Sequence, residues 1–203
     1  PRLGRLRGCD EDMDYKNTEE FMKYLKSQQT LKESSRQLCL FFAKNRFGDE
    51  SFNRHFLDAS DDGGIDYFFN SGKNQFNIVQ SKFDSNNSVK NSNQIRNEID
   101  KILSTITNPT RERCPSTEGN DFIKDVLDTI SDPKACLDVY YLTTGVLLEK
   151  TISEVENYLK KRIDELKWSI RIEFNGFDIN SIDMMIINKR FGNTPYTGRK
   201  SLK

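Results

Sequence analysis

The segment Asp61-Asp62-Gly63-Gly64-Ile65-Asp66-Tyr67-Phe68-Phe69, then Asn70-Ser71-Gly72-Lys73-Asn74, then Gln75-Phe76-Asn77-Ile78-Val79-Gln80-Ser81-Lys82-Phe83, sets the architecture. The Asp-Asp-Gly-Gly run is a turn. The aromatic stretch Tyr67 to Phe69 has the composition of a strand, and the cluster from Asn70 to Asn74 is a hairpin loop. Phe76 and Ile78 then alternate with polar neighbours, the period of a second strand. Two adjacent antiparallel strands are expected, with Asp66 opening the first and Gln80 to Lys82 closing the second.

Outward from this hairpin the apolar period lengthens. Asn17 with Glu20, and Thr30 with Glu33, have capping-box spacing and open two helices, the second ending near Gly48. Residues 52–57 fit a short strand or a helical turn equally. After a polar loop, Ile95, Ile99, Ile102, Leu103 and Ile106 mark one buried face of an amphipathic helix. Residues 108–120 read as a loop, and Phe122 to Ile130 as a further helix. Leu137 to Leu142 is a buried strand, Ile152 to Leu166 a long helix, and Trp168 to Phe174 an alternating strand. Strands interleaved with helices define an α/β class, a central sheet flanked by helices. Residues 1–13 lack periodicity and read as a leader outside the fold, disordered or derived from expression. One domain is expected over 14–187, and 188–203 reads as a basic tail or the truncation point of a longer protein.

Composition narrows the chemistry. The chain has 203 residues, 35% apolar, with 31 Lys+Arg balanced by 31 Asp+Glu. Neutrality argues against a protein that coats nucleic acid non-specifically, yet allows a local basic groove. No apolar run approaches the ~18 residues of a membrane helix, so no membrane partner is expected. His55 is the only histidine, which excludes multi-histidine zinc sites, and no Gly-x-Ser-x-Gly elbow accompanies it. Cys9, Cys39, Cys114 and Cys136 form no Cys-x-x-Cys pair; without a secretory signal they read as reduced cytoplasmic thiols.

What remains is Asp66 with Gln80 and Lys82. Side chains two apart on a strand share a face, and the hairpin can bring Asp66 beside that face. A carboxylate, an amide oxygen and an ammonium suit phosphodiester hydrolysis. Mg²⁺ binds through one or two protein oxygens plus phosphate and water, and a bound cation activates water and neutralises developing charge. Lys82 is placed to orient the nucleophile or stabilise the transition state. Asp62 reads as a turn residue or an outer partner of the site. Lys90 and Arg96, just past the second strand, are candidate phosphate contacts; a solvated helix face is their competing reading.

Asp62-Gly63-Gly64-Ile65-Asp66, about a dozen residues, then Val79-Gln80-Ser81-Lys82-Phe83 resembles the PD-(D/E)xK nuclease signature in its Gln-x-Lys form. That form occurs in Mrr-type restriction endonucleases and in abortive-infection phage-resistance (AIPR) proteins. The strand Val139 to Gly145, the long helix after it and the strand Ile170 to Phe177 also resemble the AIPR amino-terminal region in order, so the likeness spans roughly residues 30–187. The resemblance implies a restriction-endonuclease-like mixed sheet flanked by helices. It also implies a Mg²⁺- or Mn²⁺-dependent endonuclease in bacterial or phage defence, with DNA the favoured substrate and RNA left open. Catalysis would fall to Asp66, Gln80 and Lys82, and the metal to Asp66 and Gln80. Many such relatives add a glutamate from the first core helix, a place Glu33 would fill, although its capping spacing is a competing role. Cutting both strands needs two centres, which points to a homodimer. The commoner second acid is Gln80 here, and this departure keeps two alternatives open: an inactive nucleic-acid-binding module, or a protein-interaction domain in which Asp66 and Lys82 form an ordinary cross-strand ion pair.

Overall fold

A computed structural model describes residues 15–48, 52–57 and 63–191. The order is α1 (Thr18–Lys26), α2 (Leu31–Phe47), α3 (Phe52–His55), β1 (Tyr67–Gly72), β2 (Gln75–Lys82), α4 (Ser92–Thr107), α5 (Thr117–Thr129), β3 (Cys136–Thr143), α6 (Glu149–Leu166), β4 (Arg171–Phe177) and α7 (Ile179–Phe191). The four strands lie in sequence order, β1 antiparallel to β2 and the rest parallel. The fold is α/β, a mixed sheet flanked by helices on both faces.

Alternation along the strands divides the core. Phe76 and Ile78 of β2, with Val139 and Tyr141 of β3, join the cluster under α4, α5 and α6. Val79, Tyr140 and Leu142 join the other, under α1, α2 and α7. Because β3 is covered on both sides, Val139 to Leu142 reads as a continuous apolar run, as buried parallel strands do, with the half-buried Asp138 just before it.

The helices start where the caps predict. The Asn17 side chain accepts from the Glu20 amide at 2.9 Å and Thr30 Oγ1 from the Glu33 amide at 3.1 Å. Gly48, at φ 63°, ends α2 in the left-handed conformation. The ring of Phe42 on α2 meets Phe177 at 4.9 Å and Tyr140 at 5.3 Å. Each such pair contributes about 0.5–1.5 kcal/mol beyond its buried area. These rings fix α2 across the sheet, with its first turns over the carboxyl end of β2.

Several boundaries differ from the sequence reading. Residues 52–55 are helical, and Phe56 then bridges to Tyr67. The hairpin loop shrinks to Lys73-Asn74, because β1 continues through a register shift between Asn70 and Gly72. The helix expected from Phe122 starts at Thr117, where Ser116 Oγ caps the Gly119 amide at 3.0 Å. Strand β4 starts at Arg171 rather than Trp168. The expected tail from 188 is entered by α7, which runs to Phe191 and buries Ile182, Met185 and Ile186. Its start is capped by Asp178, whose Oδ1 accepts from the Ser181 amide at 3.0 Å. The expected leader, and the rest of the tail, lie outside the described residues.

Candidate active site

Strand β1 begins one residue after Asp66, with Tyr67 opposite Val79, so β2 runs on through Gln80, Ser81 and Lys82 without a β1 partner. Asp66 is therefore on a bend before the strand, not on it. Its amide donates to the Val79 carbonyl at 2.9 Å and its carbonyl accepts from Leu57 at 2.8 Å. Its carboxylate takes over where the ladder stops, Oδ2 lying 2.7 Å from both the Ser81 amide and the Ser81 hydroxyl. The hydroxyl also lies 3.0 Å from the Ser35 carbonyl, and its single proton serves one acceptor at a time. Ser35 Oγ in turn accepts from the Phe83 amide at 3.0 Å. A carboxylate and a helix serine thus replace the missing strand along the edge of β2.

The Gly63-Gly64 turn delivers Asp66 to that edge. Gly64 has φ 75°, and a Cβ there would lie 2.9 Å from both the Glu98 carbonyl and Lys101 Cβ. Only glycine permits this approach to α4. Thr105 on α4 anchors the turn by donating to the Gly63 carbonyl at 2.8 Å.

Gln80 and Lys82 project from the opposite face to Ser81, toward α4. Gln80 is 2% exposed, and its Oε1 accepts no hydrogen bond among the described residues. The Lys82 ammonium lies 3.3 Å from Glu98 Oε2, while Glu98 Oε1 lies 3.2 Å from Lys101. Asp66, Gln80 and Lys82 line one cleft of about 450 Å³, together with Lys32, Ser35 and Arg36 from the start of α2. Beneath it Cys39 is fully buried; burial, and after it the Asp66 carboxylate, push its thiol well up.

The structure thus brings together the three residues expected to carry chemistry and scatters the rest. Asp62 lies outside the described residues. Glu33 turns along its own helix, accepting from Gln37 Nε2 at 2.7 Å and lying 4.0 Å from Arg36, and is not among the residues lining the cleft. Arg96 packs on α6, 5.3 Å over the Tyr158 ring and 3.5 Å from the Glu154 carbonyl. Lys90 pairs with Asp84 and lines a neighbouring cleft. Burial alone would raise the Asp84 carboxyl, but hydrogen bonds from Lys90, Ser88 and the Asn86 amide outweigh it and hold the group well below the usual range.

Sequence reading missed Lys32, Ser35 and Arg36, although their i, i+3, i+4 spacing places them on one helix stripe with Cys39. It also missed Ser81 and Glu98, whose roles depend on the strand edge and on the packing of α4.

Among the described residues no group of three or more His, Cys, Asp and Glu side chains converges on a metal position. A two-oxygen site is another matter. An orphaned buried amide oxygen and a carboxylate in one cleft fit a single hard cation that keeps water and phosphate as its other ligands. No protein-family model matches the chain, and no curated protein or solved structure matches it significantly. No described helix is long and apolar enough to cross a membrane.

Proposed function

We propose that this cleft is a metal-dependent nuclease site of the PD-(D/E)xK type in its Gln-x-Lys form. It hydrolyses phosphodiester bonds, DNA being the favoured substrate, in a cytoplasmic defence protein. The observation that carries the reading is Gln80 Oε1, a buried acceptor with no partner among the described residues, in the same cleft as Asp66 and Lys82. An unsatisfied buried acceptor costs about 1–3 kcal/mol, and a cation arriving in the cleft would recover it.

Asp66 and Gln80 would hold Mg²⁺ or Mn²⁺, which supplies Lewis-acid activation of water and neutralises charge on the phosphoryl group. The other steps belong to the chain. Ser81 fixes the Asp66 carboxylate through its amide, so the ligand needs no reordering when substrate enters. Lys82 presents a compact positive charge toward the scissile phosphate and the attacking water. Lys32 and Arg36 meet the flanking phosphate oxygens from α2, Arg36 being held 2.7 Å from Asn53 Oδ1 and 4.9 Å over the Phe56 ring.

The test is incubation of supercoiled plasmid, single-stranded DNA and RNA with Mn²⁺ or with EDTA. Nicking that requires metal and disappears in Lys82→Ala is the expected result, and intact nucleic acid in every metal-containing arm would overturn the assignment. A second reading, a binding module without turnover, is favoured by the structural occupations of two of the three residues: Asp66 caps the edge of β2 and Lys82 pairs with Glu98. Its signature is retarded, uncut nucleic acid that is indifferent to EDTA.

A further inference from the structure

Strand β1 ends the sheet, and beyond the isolated bridge between Phe56 and Tyr67 its outer side carries no strand among the described residues. A groove of about 340 Å³ lies there, with Phe68 to Asn70 of β1 on one side and Glu118, Asp121 and Asp125 of α5 on the other. We propose that an extended, lysine- or arginine-rich segment of a partner protein docks in this groove, adding a strand to β1 and setting its cations against α5. The proposal is independent of the chemistry of the Asp66 cleft.

Two observations support it. The first is the strand edge. A terminal strand presents backbone N–H and C=O groups that lack a ladder partner, and an incoming extended segment satisfies them by β-augmentation. The groove supplies no free apolar pocket. Phe68 and Phe122, whose rings meet at 4.8 Å, are already core, so contact falls to backbone and charge.

The second is charge. Glu118, Asp121 and Asp125 are exposed at i, i+3 and i+7 of α5, one helix stripe, and none of their side chains has an ion pair or hydrogen bond among the described residues. Lys124 is the only cation of α5, and no lysine or arginine is among the described residues lining the groove. Like charges one turn apart destabilise a helix, and a cationic segment offsets that cost. Alternate side chains of a strand stand about 6.8 Å apart, close to the rise of about 6 Å from Asp121 to Asp125, so two lysines can meet two carboxylates. The stripe also selects the occupant. A second copy paired edge to edge would bring two acidic stripes together, and a polynucleotide would meet only like charge.

The test is fluorescence anisotropy of a fluorescein-labelled peptide, Lys-Val-Lys-Thr-Lys-Val-Lys, titrated with the full chain at low and high salt. Its companions carry glutamate for lysine, or N-methyl groups on alternate backbone nitrogens in either of the two phases. The lysine peptide should bind and the glutamate peptide should not, and methylation in at least one phase should abolish binding with no change of charge. Asp121→Asn/Asp125→Asn should weaken binding about fivefold at low salt, the loss of two exposed ion pairs. It should not lower Tm, because it relieves repulsion along α5. Asp164→Asn, exposed on α6, is the control and should change neither quantity. Docking is overturned if the lysine peptide does not bind, if the glutamate peptide binds equally well, if both methylated peptides bind like their parent, or if the double variant binds like the control. None of these readouts involves plasmid nicking, so the groove and the nuclease reading stand or fall separately.

Discussion

Asp66 separates the structural from the chemical reading of the site, because its two roles respond differently to two substitutions. In Asp66→Ala the Ser81 amide loses its acceptor at 2.7 Å. The Ser81 hydroxyl does not, because the Ser35 carbonyl stands 3.0 Å away and can take its proton instead. One orphaned amide is left, at about 1–3 kcal/mol. For a domain of this size about 2 kcal/mol lowers Tm by roughly 4–8 °C. Asp66→Asn keeps an oxygen in the same place and loses only the charge assistance, so its stability should fall by about 1 kcal/mol or less. Urea and thermal unfolding of the three proteins give the stability order; plasmid nicking with Mn²⁺ gives the chemistry. The expected pattern is a graded loss of stability, wild type above Asn above Ala, with nicking abolished in both variants, since a neutral amide is a poor substitute for the carboxylate ligand. An alanine variant as stable as wild type would refute the strand-edge argument. An asparagine variant that nicks at the wild-type rate would refute the metal assignment.

Gly64→Ala should destabilise by more than about 1 kcal/mol, because the position combines a left-handed φ with backbone of α4 at 2.9 Å. Gly72→Ala, whose Cβ would meet nothing closer than Gln75 Oε1 at 3.6 Å, is the control and should melt within a few degrees of wild type. Asp84 sets a pH dependence. Its folded carboxyl is held below the ordinary 3.8, so its contribution is complete above that value and is lost as pH falls through the acid range. The gap in urea midpoint between wild type and Asp84→Asn should therefore be full at pH 7 and shrink toward pH 3; an unchanged gap would show that Lys90 and Ser88 do not favour the ionised form.

The hairpin, the two capped helices and the buried strand β3 were legible because each carries a local signal: alternation, a cap, or the apolar run Val139 to Leu142. Asp66, Gln80 and Lys82 were legible as a spacing. The manner in which they meet was not. Alternation placed Asp66 on a strand beside the Gln80 face, whereas the carboxylate bends back to the Ser81 amide, a consequence of β1 starting late that no period encodes. Helix α7 escaped because it follows β4 directly, and its cap, Asp178, does two tasks: Oδ1 caps Ser181, and Oδ2 lies 3.2 Å from the Leu147 amide, on the loop before α6. Lys90 and Arg96 looked alike in sequence, near neighbours in charge and position. Packing parted them, because Arg96 faces α6 and Lys90 faces Asp84.

Gln80 bears most of the weight, and the comparison that matters is with the other buried polar atoms lacking a hydrogen bond among the described residues. Those are Arg46 Nε, Arg96 Nε and Glu98 Oε2. Each belongs to an ionised group: the Arg46 charge favours the ionised Tyr140 hydroxyl nearby, Arg96 lies 3.5 Å from the Glu154 carbonyl, and Glu98 Oε2 is 3.3 Å from an ammonium. Gln80 Oε1 is neutral and has no such relief. A position 2% exposed on a strand otherwise facing an apolar layer would be filled at lower cost by leucine or methionine. An amide at that position makes sense if its oxygen meets something that enters the cleft, and on the proposed reading that is a cation, which the Asp66 carboxylate lining the same cleft would also hold. On the nuclease reading proposed above, the phosphate would fall to Lys32, Arg36 and Lys82, the division of labour that a phosphodiester bond held against a divalent ion requires.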